Sequence, residues 1–253
     1  MVVILRHDVD NGYVGELGFG TLRRKFVWSL NYYREYGALG DRLPGIVQLK
    51  YLHDASRLLE VEENLGIRGS WFFRTRTKPY PALEDRILDL GGEVSFHADH
   101  TLDEKQFLSD MKYTLGESTP LGFTKHGSEV TLEKARNQHV EVYDASNCLA
   151  LAKMHNFKYF SGNGTAPEQP SKIIGGVLYF PNAFWMDPSF MNDSKYTLDW
   201  LKRMQKDTDI VVLVHPREYT DLFPKIQRKI DSFFEKIDEV TSFASLLKSR
   251  RLI

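Results

Sequence analysis

The chain has 253 residues, of which 42% are hydrophobic and 26% charged, and this is the composition of a folded globular protein. It excludes a largely disordered chain, a collagen-like chain and a coiled coil. The 33 basic and 34 acidic residues give a net charge of -1, which argues against nucleic acid as a partner, and a single cysteine excludes an intramolecular disulfide and a thiolate zinc site.

Short apolar runs alternate with longer amphipathic stretches along the chain. The runs predict strands buried on both faces, over 2–5, 68–73, 93–96, 121–124, 157–160, 176–180 and 210–214. The stretches predict helices over 47–65, 81–90, 102–115, 132–156, 196–205 and 223–237. Alternation of this kind is typical of an α/β fold with parallel strands, and the number of strands favours a barrel or a nearly closed one.

The whole chain, 1–253, is expected to form a single domain. Residues 11–46 lack strand character and are expected to form an insertion or lid over the site. The opening apolar run is too short for a signal peptide, and no run approaches the ~18 apolar residues of a membrane span. We therefore expect a cytoplasmic protein without a membrane span.

Polar side chains follow four of the predicted strands, at the ends where parallel β/α folds carry their working groups. These segments contain five of the eight histidines. They are Arg6-His7-Asp8-Val9-Asp10, His97-Ala98-Asp99-His100, Lys125-His126-Gly127 and His215-Pro216-Arg217. Four strands that end in this way indicate one shared site.

The first two segments predict a metal site. In an extended segment Asp8 and Asp10 point the same way, and their repulsion is relieved by a bound cation. His97 follows an apolar run directly, and His100 shares its face if the chain turns as a helix there. Carboxylate and imidazole ligands suit zinc and its first-row neighbours. The alternatives are a polar loop for the aspartates and a local hydrogen bond for one histidine.

His215 comes directly after five apolar residues, and Pro216 ends the strand pairing. A histidine at this position is suited to proton transfer near neutral pH. The alternative is a buried histidine that is bonded to the backbone.

The segments Arg6-His7-Asp8-Val9-Asp10, Ser70-Trp71-Phe72-Phe73, Gly92-Glu93-Val94-Ser95-Phe96-His97 and Val212-Leu213-Val214-His215-Pro216 together resemble the polysaccharide deacetylases, the NodB-homology family. More narrowly they resemble an intracellular deacetylase-like branch whose first motif reads HDVD. The resemblance implies a distorted (β/α) barrel of about seven parallel strands. It also implies a divalent metal, usually zinc, and removal of acyl groups from N-acetylated sugars, whereas some relatives act on other C–N bonds.

By position, the resemblance makes Asp8 the general base, Asp10 and His97 metal ligands, and His215 the general acid. The family's second metal histidine falls on Thr101, so either His100 or His126 is expected to replace it. The third motif lacks the family's arginine and proline, and the family's Asp–Trp motif has its nearest match at 183–187.

Four residues are candidates for substrate binding: Arg6, Trp71, Trp185 and Arg217. The two arginines are equally suited to orienting the carboxylates by bidentate pairing or to a structural ion pair. The expected partner is a glycan or small-molecule substrate, and a homo-oligomer is possible.

Two alternatives to sugar deacetylation remain open. Hydrolysis of a non-sugar C–N bond, such as a cyclic amide, predicts a small closed pocket, whereas the sugar hypothesis predicts an open groove lined by aromatic residues. A binding protein that kept the barrel and lost the chemistry is favoured by Thr101 and by the altered third motif.

Overall fold

The computed structural model describes residues 1–10, 50–127, 143–164, 166–186, 197–219 and 224–253. The expected insertion at 11–46 lies outside these residues, as do the start of the helix expected over 132–156 and the acidic end of the cluster at 183–187.

The strands form one curled and mostly parallel sheet. They are β1 Val3–Val9, β2 Ser70–Phe73, β3 Glu93–Ala98, β4 Gly122–Lys125, β5 Tyr159–Gly164, β6 Lys172–Ile174, β7 Val177–Asn182, β8 Phe184–Trp185, β9 Ile210–Leu213 and β10 Val240–Thr241. Their order is β6-β7-β5-β4-β3-β2-β1-β9-β8, with β10 paired to β1, and β6 runs antiparallel to β7. Only Ala183 separates β7, which pairs with β5, from β8, which pairs with β9, so this segment links the two ends of the sheet. The expected distorted (β/α) barrel is confirmed.

Helices surround the sheet. They are α1 Lys50–Leu65, α2 Pro81–Asp89, α3 Glu104–Leu115, α4 Ala145–Met154, α5 Leu198–Met204, α6 Pro216–Tyr219, α7 Pro224–Phe234 and α8 Phe243–Ser249. The Asp103 side chain accepts hydrogen bonds from the amides of Lys105 and Gln106, which starts α3 two residues after its predicted start. Among the described residues, no helix is both long and apolar enough to cross a membrane. The cytoplasmic location stays a prediction.

Strand β1 extends further than its apolar run predicts. It continues through the polar residues to Val9, because β2 pairs with it from Arg6 opposite Ser70 to Val9 opposite Phe73. Alternate side chains point to opposite faces. Val9 therefore packs outward in the cluster formed with the helices, whereas Arg6 reaches the β5 residue Ser161 across the barrel interior.

The amino-terminal ends of the strands are closed by a buried polar cluster and by α8. The Glu93 carboxylate accepts hydrogen bonds from the hydroxyls of Ser70 and Tyr159 and from the amide of Ala244. The Phe243 ring stacks on Tyr159 at a centroid distance of 4.4 Å. The carboxyl ends of the strands are therefore the end of the barrel at which a site can form.

Candidate metal centre

Three side chains from strands β1, β3 and β4 converge at the carboxyl end of the barrel. Asp10 follows β1, His97 lies near the end of β3, and His126 follows β4. The carboxylate and imidazole atoms that they offer lie within 4.8 Å of one another. The Nε2 atoms of His97 and His126 are 2.9 and 4.0 Å from Asp10 Oδ1.

Both imidazoles are held through Nδ1 and present Nε2 to the cluster. His97 Nδ1 lies 2.6 Å from the Thr124 hydroxyl, and His126 Nδ1 lies 3.3 Å from Asp99 Oδ1. Burial lowers the pKa of His97 more than the charges of Asp8 and Asp10 raise it. The neutral ring that results is the form that binds a metal.

A cation fits this cluster. Asp10 Oδ1 is buried and accepts no hydrogen bond of adequate geometry from the described residues. Burial raises the pKa of Asp10, but the charge of His126 and the hydrogen bond and charge of His215 outweigh it and hold that pKa well below its usual value. An ionised oxygen that lacks a well-oriented donor among the described residues, beside two imidazole nitrogens, belongs to a ligand set that suits zinc and related metals.

Asp8 lies beside the cluster and is paired to Arg6. The guanidinium donates from Nε to Oδ1 at 2.9 Å and from Nη2 to Oδ2 at 2.5 Å. Burial raises the pKa of Asp8, but the charges of Arg6 and His97 outweigh it and lower that pKa. Asp8 Oδ2 is 3.8 Å from His97 Nε2, so an ionised carboxylate stands next to the candidate ligands.

Arg6 is fully buried and touches Asp8 and strand β5. Its Nη1 donates to the Ser161 hydroxyl at 3.1 Å and to the Gly162 carbonyl at 2.8 Å. Arg6 therefore orients the Asp8 carboxylate by bidentate pairing, which is one of the roles that the sequence left open for it. It does not line an open surface.

His215 and Trp185 lie beside the metal-ligand candidates. His215 Nε2 is 3.2 Å from Asp10 Oδ2. The His215 ring lies 5.7 Å from that of Trp185, measured between centroids. The buried Trp185 indole N–H has no acceptor in the described part of the chain.

Two of the expected site residues lie elsewhere. His100 has a side chain that is 51% exposed, and its Nδ1 is 2.9 Å from Asp110 Oδ2, so it stands outside the three-residue cluster. Trp71 is fully buried on the outer face of the sheet, where its indole N–H donates to Glu62. Arg217 belongs to α6, but its side chain lies outside what the structure describes.

Sequence reasoning passed over two residues that reach this site. Arg74, directly after β2, pairs with Asp99 at 2.8 Å and donates to the Asp10 carbonyl. Asn163, in β5, contacts Arg6 and the segment that carries His126. Both residues lie at the carboxyl ends of strands, where β/α folds carry their functional groups, and this position could have identified them from the sequence.

No protein-family model and no curated protein matches this chain. Solved structures do match it. A "putative polysaccharide deacetylase" from Mycobacterium smegmatis is 16% identical with a TM-score of 0.59, and the match covers 99% of this chain and 90% of that one. A "putative polysaccharide deacetylase involved in o-antigen biosynthesis" from Bordetella bronchiseptica is 14% identical with a TM-score of 0.50, over 99% of this chain and 90% of the other.

Proposed function

Because the chain has the fold of the polysaccharide deacetylases, we propose that it is a metal-dependent hydrolase that removes the N-acetyl group from a sugar or a related amide. The observation that carries the proposal is the cluster of Asp10, His97 and His126, with Asp8 and His215 beside it. Fold alone does not assign chemistry, so the activity is inferred from these side chains.

Asp10, His97 and His126 would hold the metal, and zinc is the expected ion. Three protein ligands would leave a coordination position for water, as in catalytic zinc sites. When bound, such a cation would lower the pKa of a water molecule and polarise an acyl carbonyl. His126 takes the place of the ligand that the family pattern would put at Thr101.

Asp8 acts as the general base. Arg6 engages each of its oxygens once, so further lone pairs remain to accept a proton from the attacking water. The lowered pKa keeps the carboxylate ionised at neutral pH. The fixed guanidinium also stops the carboxylate from rotating away from the ligand cluster.

His215 donates the proton to the departing amine. Its imidazole is buried to 6% exposure and borders Asp10 and Trp185. Trp185 offers an apolar ring for the sugar, and its indole N–H, which has no acceptor among the described residues, is a donor for a polar group of the substrate.

Metal content and acetate release test the proposal together. We expect elemental analysis of the gently purified full chain to find about one transition metal per chain, and the loaded protein to release acetate from N-acetylglucosamine oligomers. Absence of metal in the wild type would favour the non-catalytic binding protein. Metal without acetate release, combined with hydrolysis of a cyclic amide, would favour the other hydrolase.

A further inference from the structure

The side of His126 that faces away from the metal cluster is surrounded by polar contacts from three other strands. The backbone amide of His126 donates to the Ala98 carbonyl at 2.8 Å, which ties the residue to β3. Gly127, which follows, has a φ of +93°, so the chain turns sharply there in a conformation that favours glycine. Different residues hold the His126 ring and the His126 backbone.

The ring is held by Asp99. His126 Nδ1 lies 3.3 Å from Asp99 Oδ1. That oxygen also accepts from Arg74 Nε at 3.0 Å, so the carboxylate is fixed from behind. Arg74 Nη1 donates to the carbonyl of Asp10 at 2.5 Å. One arginine therefore links the residue that orients His126 to the residue that supplies the carboxylate ligand.

The backbone is held by Asn163. Its Nδ2 donates to the carbonyls of Lys125 and Gly127, the two neighbours of His126. Its Oδ1 accepts from Arg6 Nη2 at 2.6 Å. The amide has donors for the two carbonyls and an acceptor for the guanidinium, and an aspartate could not supply the donors.

We propose that Asp99 and Asn163 are positioning residues that make His126 the second imidazole ligand, Asp99 by fixing the ring and Asn163 by fixing the backbone on either side. A carboxylate on Nδ1 selects the tautomer that bears its proton there and leaves the Nε2 lone pair for a metal. This inference rests on the proposed function, since it explains how a histidine from β4 replaces the ligand absent at Thr101.

His100 and Asp110 provide the matched control. They also form a histidine–carboxylate pair, at 2.9 Å, but the ring is half exposed and stands outside the cluster. An aspartate beside a histidine is therefore not enough to make that histidine a metal ligand. If metal binding falls in the Asp99 variant but not in the Asp110 variant, the loss is specific to Asp99 and does not follow from removal of any histidine–carboxylate pair.

The first measurement is the zinc affinity of the full chain, obtained by competition with a chelator. Loss of an outer-shell partner weakens metal binding by about 10- to 100-fold. We expect Asp99→Ala to lie at the upper end and Asp99→Asn, which keeps an acceptor, to recover part of the loss. Asn163→Asp should weaken binding too, and Asp110→Ala should match the wild type. Circular dichroism checks that each variant is folded.

The second measurement needs no metal. Long-range ¹H–¹⁵N NMR of the metal-free chain, at a pH where imidazole is neutral, reports which nitrogen of His126 carries the proton. We expect Nδ1–H in the wild type and in Asp110→Ala, and a shift away from it in Asp99→Ala.

The inference is overturned if Asp99→Ala binds zinc as tightly as Asp110→Ala. It is equally overturned if affinity falls while the His126 tautomer is unchanged, because Asp99 would then act only on the fold. A wild type that binds no zinc would refute the proposed function, whereas the NMR result would still decide whether Asp99 fixes the ring.

Discussion

The two faces of β1 both bury polar groups, but they do so in different ways. Arg6 and Asp8 point into the barrel, and His7, between them, points outward against α1. All three are almost completely buried. Burial and charge therefore do not distinguish a functional cluster from a structural one in this molecule.

The outward cluster is complete. His7 Nδ1 is 3.2 Å from the Val214 carbonyl, and its Nε2 is 2.9 Å from Glu62 Oε1. The Trp71 indole N–H donates to Glu62 Oε2 at 3.0 Å. The packing is closed as well, because a Cβ at Gly69 would lie only 2.6 Å from Glu62 Oε1. The nitrogens of His7 and Trp71 and both carboxylate oxygens of Glu62 have partners, so this cluster offers no unpaired group to a ligand.

The inward cluster is incomplete. Asp10 Oδ1 and the Trp185 indole N–H are buried and lack hydrogen-bond partners within the described residues. Unpaired buried groups cost free energy, so such groups point to something that binds them. Unfilled hydrogen-bonding capacity among the described residues, more than burial, is what distinguishes the inner face as the candidate site.

Asp8→Asn gives the largest expected effect on the inner face. The amide keeps the shape but cannot accept the proton from water, so we expect a fall in acetate release of about 10²- to 10⁴-fold, the usual contribution of a general base. Metal content should stay at the wild-type level, because Asp8 lies outside the three-ligand cluster. Hydrolysis at the wild-type rate would refute its role.

Glu62→Ala tests the outer face. It leaves the buried His7 and Trp71 nitrogens without their acceptor, and at about 1–3 kcal/mol for each unpaired group we expect a loss of about 2–6 kcal/mol in the free energy of unfolding. Glu63, the next residue of α1, pairs with Arg86 on the surface, and Glu63→Ala should cost less than about 1 kcal/mol. Urea unfolding measures both.

The activity of the Glu62 variant is the sharper readout. Per folded molecule, acetate release should stay within a few-fold of the wild type. A loss comparable to that of Asp8→Asn would show that the outer cluster contributes directly to the chemistry, and the distinction between the two faces would fail.

Zinc that binds at the inner face should stabilise the protein against unfolding. A ligand at about 100 times its dissociation constant adds about 2.7 kcal/mol to the free energy of unfolding. The melting temperature of the metal-free wild type should therefore rise with zinc, while that of His126→Ala should rise much less. An equal rise in both would exclude His126 as a ligand.

The zinc effect should disappear on acidification. Protonated imidazole cannot bind a metal. Because burial lowers the pKa of His97 despite the nearby carboxylates, its neutral form persists below the ordinary histidine range. Stabilisation by zinc is thus present above the titration of the ligands and lost as the pH falls through it, which thermal melts with and without zinc can follow.

The sequence indicates which strands carry polar residues at their carboxyl ends, but it shows neither where each strand stops nor which face a side chain occupies. Asp8, His97 and His215 each lie in a polar segment that follows an apolar run, and these residues do lie together at the carboxyl ends of a parallel sheet. Strands buried on both faces carry no alternation, however. Trp71 points outward and Phe72 inward, yet both are fully buried, so the sequence could not say which aromatic lines the interior.

The choice between His100 and His126 was also beyond the sequence. It depends on contacts that the sequence pattern does not show: Asp110, ten residues further along the chain, lies beside the His100 ring, whereas Asn163 holds the carbonyls on either side of His126. Strands of two or three residues, such as β6, β8 and β10, are likewise too short to show a period, and tertiary pairing alone defines them.

The smallest expected effect compares two tryptophans. Trp71→Phe keeps a ring beside His7 but removes the N–H that Glu62 accepts, and a hydrogen bond to a charged group contributes about 1.5 kcal/mol or more. Trp185→Phe removes an N–H that has no acceptor in the described residues, so its unfolding free energy should fall by less than that of Trp71→Phe. Urea unfolding of the two variants side by side tests this directly. Equal losses would mean that the Trp185 N–H is satisfied within the folded chain, and the inner face would then be as complete as the outer one.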